Sequence, residues 1–203
     1  MKNVRRPTYS FLILVIGLIL INSLLAWFSL LVSHLVFHLI SPSSTLPAGV
    51  ALISLAAAFM LIFTLWYGMY GVIAAYVGCF IGSGLFSGMP ATVAIYFSLA
   101  GLWQVLIPLA AFRIFNVNVG MESRRDLFHL VLFGVILNNV IGAAWGSAAL
   151  AVGGVVDWSQ VMSVFTSWLV GNALITIIIV PLVLHYYTPR VEKSKVFVKN
   201  YWF

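Results

Sequence analysis

Charged residues and cysteine are scarce in this sequence of 203 residues, and each shortage excludes a class of protein. Only 7% of the residues are charged, whereas 63% are hydrophobic. A soluble domain carries about 25% charged residues, so this chain cannot cover a surface that faces water. The single cysteine, Cys79, excludes an intramolecular disulfide, and its apolar neighbours predict a packing role for it.

Acidic residues are also few, which argues against catalysis. The four are Glu122, Asp126, Asp157 and Glu192, and all fall in predicted loops or in the C-terminal tail. No pair of carboxylates is therefore available at membrane depth for acid–base chemistry. The sequence also has no zinc-protease helix motif, nucleophile elbow or phosphate-binding loop. We predict a protein that is not an enzyme and that carries no cofactor.

Long apolar runs are abundant, and the mean hydropathy is +1.13. About 20 apolar residues cross a bilayer as a helix, and clusters of Pro, Gly and polar residues separate six such runs. The sequence therefore predicts an all-α membrane protein in which residues 1–203 form one six-transmembrane-helix bundle. The predicted spans are residues 10–32, 48–65, 72–86, 91–115, 127–152 and 160–187, followed by a tail at 188–203.

Basic residues fall on one side of this predicted topology. They precede the first span, lie between the fourth and fifth spans or at the end of the fourth, and follow the sixth: Lys2, Arg5, Arg6, Arg113, Arg124, Arg125, Arg190, Lys193, Lys195 and Lys199. The positive-inside rule then predicts cytoplasmic N and C termini in a multi-pass protein of a prokaryotic plasma membrane. The net charge of +6 is thus a topology signal, and we expect no binding to nucleic acid.

Amide side chains at predicted mid-depth are the most informative polar feature. They are Asn22 in the first span, Gln104 in the fourth, Asn138 and Asn139 in the fifth, and Asn172 in the sixth. An unsatisfied amide in hydrocarbon is costly, so these side chains should face the bundle interior. Two interpretations are open: the amides join helices to one another, or they line a pocket for a small molecule.

Two tryptophans favour the pocket. Trp145 lies outward of Asn138 in the fifth span, and Trp168 lies outward of Asn172 in the sixth. At about 1.5 Å per residue, both indoles should sit roughly 6–10 Å above the amides. The hypothesis is a ligand-binding cavity that opens to the outer side, with walls of Trp145 and Trp168 and a floor of Asn138, Asn172 and Gln104.

His34 and His38 are a weaker candidate, for a metal site. They are four residues apart, so on a helix they share a face and could hold one ion between them. Asp157 is the one further ligand that the sequence offers on the same outer side. Interfacial histidines that hold no metal are therefore the favoured interpretation.

Three stretches resemble the membrane-associated sensor domains of the first type, a prokaryotic family. Leu46–Leu52 is similar to the family's Pro-Ala-Gly-hydrophobic-Ala-Leu opening. Trp66–Gly71, followed by Gly78, resembles its Trp-Pro-Gly…Gly stretch without the proline. Phe165–Leu182 resembles its Trp-x-Gly-Asp-x-Leu…Pro-Leu pattern, with Asn172 in the position that the family usually gives to Asp.

The resemblance covers roughly residues 46–188 and implies a sensory role. We expect a non-catalytic membrane module that binds a small-molecule ligand, contacts membrane lipid and signals to a cytoplasmic kinase or cyclase. The chain's size and span count are also similar to those of the S components of energy-coupling factor transporters. Such a subunit captures a vitamin or similar metabolite and docks on an ATP-driven partner protein, and this uptake role is the alternative.

Overall fold

A computed structural model of the chain describes residues 9–40 and 49–198, which are largely helical and include no β-strand. The all-α fold class predicted from the sequence is therefore confirmed for the described residues. They form α1 (Tyr9–Ile40), α2 (Leu55–Tyr67), α3 (Met69–Cys79), α4 (Ala91–Ile114), α5 (Arg124–His129), α6 (Asn138–Val152) and α7 (Val161–Val191). π-Helical and 3-10 turns extend or join these helices at Phe80–Gly84, Leu85–Ser87, Leu130–Leu137 and Trp158–Gln160.

Helices long enough to cross a membrane dominate the structure. Within the described residues, five stretches have the length and apolar composition to do so: Tyr9–Leu39, Met69–Ser87, Ala91–Ile114, Arg124–Val152 and Trp158–Val191. α2 is also apolar but has only 13 residues. Its length of about 20 Å falls short of a hydrocarbon core of about 30 Å.

The second predicted span, residues 48–65, is helical over only part of its length. α2 begins at Leu55, and residues 49–54 are non-helical. Residues 41–48, which include the predicted loop before this span, lie outside the described residues. The predicted turn between the second and third spans is present at Gly68, whose φ of +60° favours glycine.

The helices alternate in direction, so the bundle has two ends. The proximal end holds the start of α1, the turn at Gly68, the α4–α5 connection and the chain after α7; here Phe11 stacks on Tyr70 with ring centroids 4.5 Å apart. The distal end holds the opposite termini and Asp157. Every described lysine and arginine lies at the proximal end: Arg113, Arg124, Arg125, Arg190, Lys193 and Lys195. Lys2, Arg5, Arg6 and Lys199 lie outside the described residues.

Small residues bring the helices together, while large apolar side chains face outward. Gly82 lies against the backbone of Ser23 where α1 packs on the π-helical turn after α3, and Gly142 lies against Gln104 where α4 packs on α6. Such close approaches are typical of helices packed in a membrane. The outer surface carries many exposed apolar side chains, among them Ile13, which is 71% exposed. A surface of this kind is stable against lipid and agrees with a membrane protein.

Candidate ligand-binding site

Residues 49–54 form a non-helical segment inside the bundle, which we call the 49–54 segment. Hydroxyl groups of α1 hold its end: the Ile53 amide donates to Ser33 at 3.2 Å, and the Leu55 amide donates to Ser29 at 3.0 Å. Non-helical backbone is tolerated at membrane depth only where the protein satisfies its polar groups. The two serines supply that compensation.

Glycines allow the 49–54 segment to pack closely. Gly49 has a φ of +77°, and a β-carbon there would lie 2.7 Å from the methyl group of Met89. Gly171 of α7 lies against the Leu52 carbonyl oxygen, which a β-carbon would overlap. Gly171 is about 15 Å along α7 from Val161, so the segment packs against the interior of a helix that is long enough to cross a membrane.

α2 begins where this segment ends, so its N-terminus points into the bundle. The Ser54 hydroxyl caps the helix by accepting a hydrogen bond from the Ala57 amide at 3.2 Å. A helix N-terminus presents backbone donors and the positive end of the helix dipole. In membrane transporters, half-helices oriented in this way face anionic or polar groups of the substrate. The interior beside Ser54 is therefore suited to an acceptor atom.

A central cavity of about 30 Å³ lies beside this N-terminus. That volume accommodates one or two water molecules. Trp168 and Phe97 form an aromatic wall, with ring centroids 5.4 Å apart. The other lining residues are Ala26, Gly49, Ala51, Ser54, Ala56, Ala57, Met60, Cys79, Ser83, Gln104 and Asn172. The structure thus brings together three of the predicted site residues: Gln104, Trp168 and Asn172.

Amide hydrogen bonds join α4 to α6. Gln104 Nε2 donates to Asn139 Oδ1 at 2.9 Å, and Asn138 Nδ2 donates to the Gln104 carbonyl at 3.2 Å. Asn139 Nδ2 donates to the Val135 carbonyl at 2.8 Å. Asn138 is buried but is not among the described residues that line the cavity. For these three side chains, the geometry favours helix packing.

Asn172 is placed differently, because it lines the cavity in addition to being deeply buried with an unused acceptor, whereas Asn138, whose Oδ1 is also unpaired among the described residues, does not line it. Its side chain is 2% exposed and lines the cavity. Its Oδ1 accepts no hydrogen bond from the described residues, and Thr176 bonds only to its backbone carbonyl. Asn22 also has unpaired amide atoms within the described chain, but it lies against Gly78 and not among the cavity's described lining residues. A buried acceptor without a donor costs about 1–3 kcal/mol, so Asn172 is the polar group most available to a ligand.

Trp145 lies apart from this cavity. Its side chain is 40% exposed, and its Nε1 donates to the Tyr96 carbonyl at 2.8 Å. It lines a separate outward-facing groove between α4 and α6. Gly146 is the residue that packs against Trp168, and a neighbouring residue points about 100° away around a helix. The expected cavity with both indoles in its walls is therefore not formed.

Several residues that shape the cavity were not singled out from the sequence. Ser29 and Ser33 hold the 49–54 segment, and Gly171 makes room for it. The spacing of the two serines, one helical turn apart in α1, was the available signal. It does not reveal which backbone amides the hydroxyls accept from, because that depends on tertiary packing.

The two histidines lie on the exposed surface of α1. His34 and His38 are both exposed near the distal end of the helix. Among the described residues, no three His, Cys, Asp or Glu side chains are grouped to hold a metal ion. Since a protein metal site normally uses three or four such ligands, we do not assign one to this pair.

Two of the three stretches that resemble the sensor family reach the cavity, and the third, Trp66–Gly71, lies at the proximal end of the bundle. Of Leu46–Leu52, the described part belongs to the 49–54 segment. Gly71 packs against Thr64, and Gly171 precedes the cavity residue Asn172. No protein-family model, curated protein or solved structure matches this chain. The family resemblance therefore stays a prediction.

Proposed function

We propose that this chain is a non-catalytic membrane module that binds a small molecule in its central cavity and works with a separate cytoplasmic partner. The observation that carries the proposal is the buried Asn172 side chain, which lines the cavity and whose Oδ1 accepts no hydrogen bond from the described residues. An apolar and aromatic wall with a few convergent polar groups is the usual composition of a small-molecule site. A ligand larger than two water molecules requires the 49–54 segment to move, because that segment forms part of the cavity wall.

A panel of soluble metabolites tests this proposal through thermal stability. A ligand present at 100 times its Kd stabilises the folded protein by about 2.7 kcal/mol, which raises Tm by several degrees. We expect at least one compound to raise the Tm of the unmodified protein and to lose this effect in Asn172→Leu. A panel without any Asn172-dependent shift would contradict the proposed site.

The proposed topology has six crossings with both termini in the cytoplasm. Five crossings are the long helices, and α2 together with the 49–54 segment supplies the sixth. The helix contributes about 20 Å and the extended segment up to about 20 Å. The proximal position of every described lysine and arginine supports a cytoplasmic location for that end in a prokaryotic plasma membrane.

Reporter fusions test this topology. Reporters fused after Phe203 or inserted within residues 116–123 should read as cytoplasmic, because the basic residues flank these positions. Reporters near Ser43 or Asp157 should read as external. The measurement compares alkaline phosphatase activity with fluorescent-protein signal at each position. A cytoplasmic result at Ser43 would contradict the six-crossing topology.

A connection from the cavity to the C-terminal segment supports a sensor-like role. At the proximal end of α2, the Trp66 indole donates to Thr188 Oγ1 at 2.9 Å, and the Trp66 carbonyl accepts from the Val198 amide at 2.9 Å. Val198 is 4% exposed, and Arg113 donates to its carbonyl at 2.6 Å. One helix of 13 residues thus links the 49–54 segment to the chain's C-terminal segment.

Labelling of a reporter cysteine tests this connection. In a Cys79→Ala background, Val198→Cys should react slowly with a maleimide because the site is buried. Replacing Ser29 and Ser33 with alanine removes the two hydroxyls that hold the far end of α2, and we expect labelling to become about fivefold faster. Thr166→Ala, which removes an exposed hydroxyl bonded within its own helix, should have no effect. Unchanged labelling in the serine double variant would contradict the sensor route and leave substrate capture as the alternative.

A further inference from the structure

The chemical class of the ligand follows from two polar features of the central cavity. We infer that the cavity binds an uncharged group with a hydrogen-bond donor beside an acceptor, as in a primary amide or a protonated carboxylic acid. This inference rests on the proposed function, since it concerns the same site. The first feature is the unpaired Asn172 Oδ1, and the second is the N-terminus of α2.

The donor of the ligand is specified by Asn172. An amide oxygen accepts hydrogen bonds and does not donate them. Asn172 is buried and lines the cavity, and its Oδ1 has no donor among the described residues. A ligand N–H or O–H group in the cavity supplies the missing hydrogen bond.

The acceptor of the ligand is specified by the first turn of α2. Ser54, Ala56 and Ala57 all line the cavity, so the positive end of the helix dipole lies at its wall. Two amides of this turn already donate to Ser29 and Ser54, so the helix dipole is what attracts an acceptor oxygen here. Asn172 lines the same cavity of about 30 Å³. Asn172 and the N-terminus of α2 can therefore contact neighbouring atoms of one small ligand group.

The residues that line the cavity favour an uncharged ligand. The described lining residues include no Asp, Glu, Lys, Arg or His. A buried ion without a countercharge is strongly disfavoured, and the helix end supplies only about half of an elementary charge. Trp168 and Phe97 instead offer apolar ring surface. An uncharged polar group therefore fits better than a carboxylate or an ammonium ion.

Formamide and formate form a matched pair of probes for this inference. Each has three heavy atoms, about the size of two water molecules, and each carries a formyl proton that saturation-transfer NMR detects. Formamide is neutral with a donor beside an acceptor, whereas formate is an anion without a donor. Protein in nanodiscs is saturated on its methyl groups, and transfer to the formyl proton is measured for each probe. The variants are Asn172→Leu and, as a control on the same helix, Thr166→Ala.

We expect saturation transfer to formamide in the unmodified protein and in Thr166→Ala. In Asn172→Leu, the transfer to formamide should be at least tenfold weaker. Formate should show at least tenfold less transfer than formamide. Formate transfer that equals or exceeds formamide transfer and depends on Asn172 would overturn the inferred ligand class but leave the cavity as a binding site. Formamide transfer that is absent or unaffected by Asn172→Leu would also overturn the inferred class. The metabolite panel does not use formamide, so it reports failure of the proposed function separately.

Discussion

Gly171→Val is expected to disrupt the packing of α7 against the 49–54 segment and to reduce the yield of folded protein severely. Any β-carbon at this position overlaps the Leu52 carbonyl oxygen, which belongs to the backbone and cannot rotate away. Overpacking typically costs about 1–3 kcal/mol, and we expect the upper end of that range or more. The measurement is the monodisperse fraction after detergent extraction, together with Tm.

Gly17→Val is the matched control for this experiment. Gly17 lies in α1, and a β-carbon there would meet no other atom within 4 Å. Both variants place valine in an apolar helix, so intrinsic helix propensity affects them equally. We expect Gly17→Val to fold like the unmodified protein. If the variant at Gly171 folds as well as this control, the 49–54 segment does not pack against α7 as described.

Asn139→Leu is expected to destabilise the bundle, whereas Asn172→Leu should leave its stability unchanged or increased. Asn139 is fully buried and accepts a hydrogen bond from Gln104 Nε2 at 2.9 Å. Its loss leaves the Gln104 amide without that partner and costs about 1–3 kcal/mol. Asn172→Leu removes an acceptor oxygen that no described residue uses, so this substitution relieves a desolvation penalty.

Thermal unfolding in one detergent compares the two variants, which carry the same substitution at buried asparagines. We expect Tm of Asn139→Leu to fall by several degrees and Tm of Asn172→Leu to stay within a degree or rise. An equal fall in both variants would show that the Asn172 amide joins helices. In that case, Asn172 would not be the free acceptor on which the ligand site depends.

The apolar runs and the Pro and Gly residues that separate them predicted most of the helical architecture. The spans predicted at residues 91–115 and 127–152 correspond to Ala91–Ile114 and Arg124–Val152 in the structure. These elements were predictable because an apolar run of sufficient length has few alternatives to a helix in a membrane. The clustering of lysine and arginine at one end was visible for the same reason, since it follows from the order of the spans.

The 49–54 segment could not be predicted, because its conformation depends on distant residues. Its sequence is apolar and reads locally as the start of a helix. The hydroxyls of Ser29 and Ser33 and the absence of a side chain at Gly171 stabilise the non-helical conformation. Helix propensity and hydropathy are local measures that do not include such tertiary contacts. Tertiary contacts therefore override the local preference for a helix.

The structure brings together three of the five residues that were predicted to line a ligand site. Gln104, Trp168 and Asn172 meet at one cavity, because inward-facing amides and aromatics of adjacent helices converge. Trp145 was predicted in the same walls but lies outside the cavity, because its side of α6 faces α4, where its indole donates to the Tyr96 carbonyl.

Mass spectrometry of molecules that remain bound through purification tests the central claim most directly. Unmodified protein and Asn172→Leu are purified identically, denatured, and their extracts are compared for small molecules other than lipid and detergent. We predict a compound in near-stoichiometric amount with the unmodified protein and at least about fivefold less with the folded variant, because a lost hydrogen bond in a buried site costs about 1–3 kcal/mol. Equal amounts of the compound in both samples, or no bound small molecule in the unmodified protein, would contradict the assignment of a ligand site at Asn172.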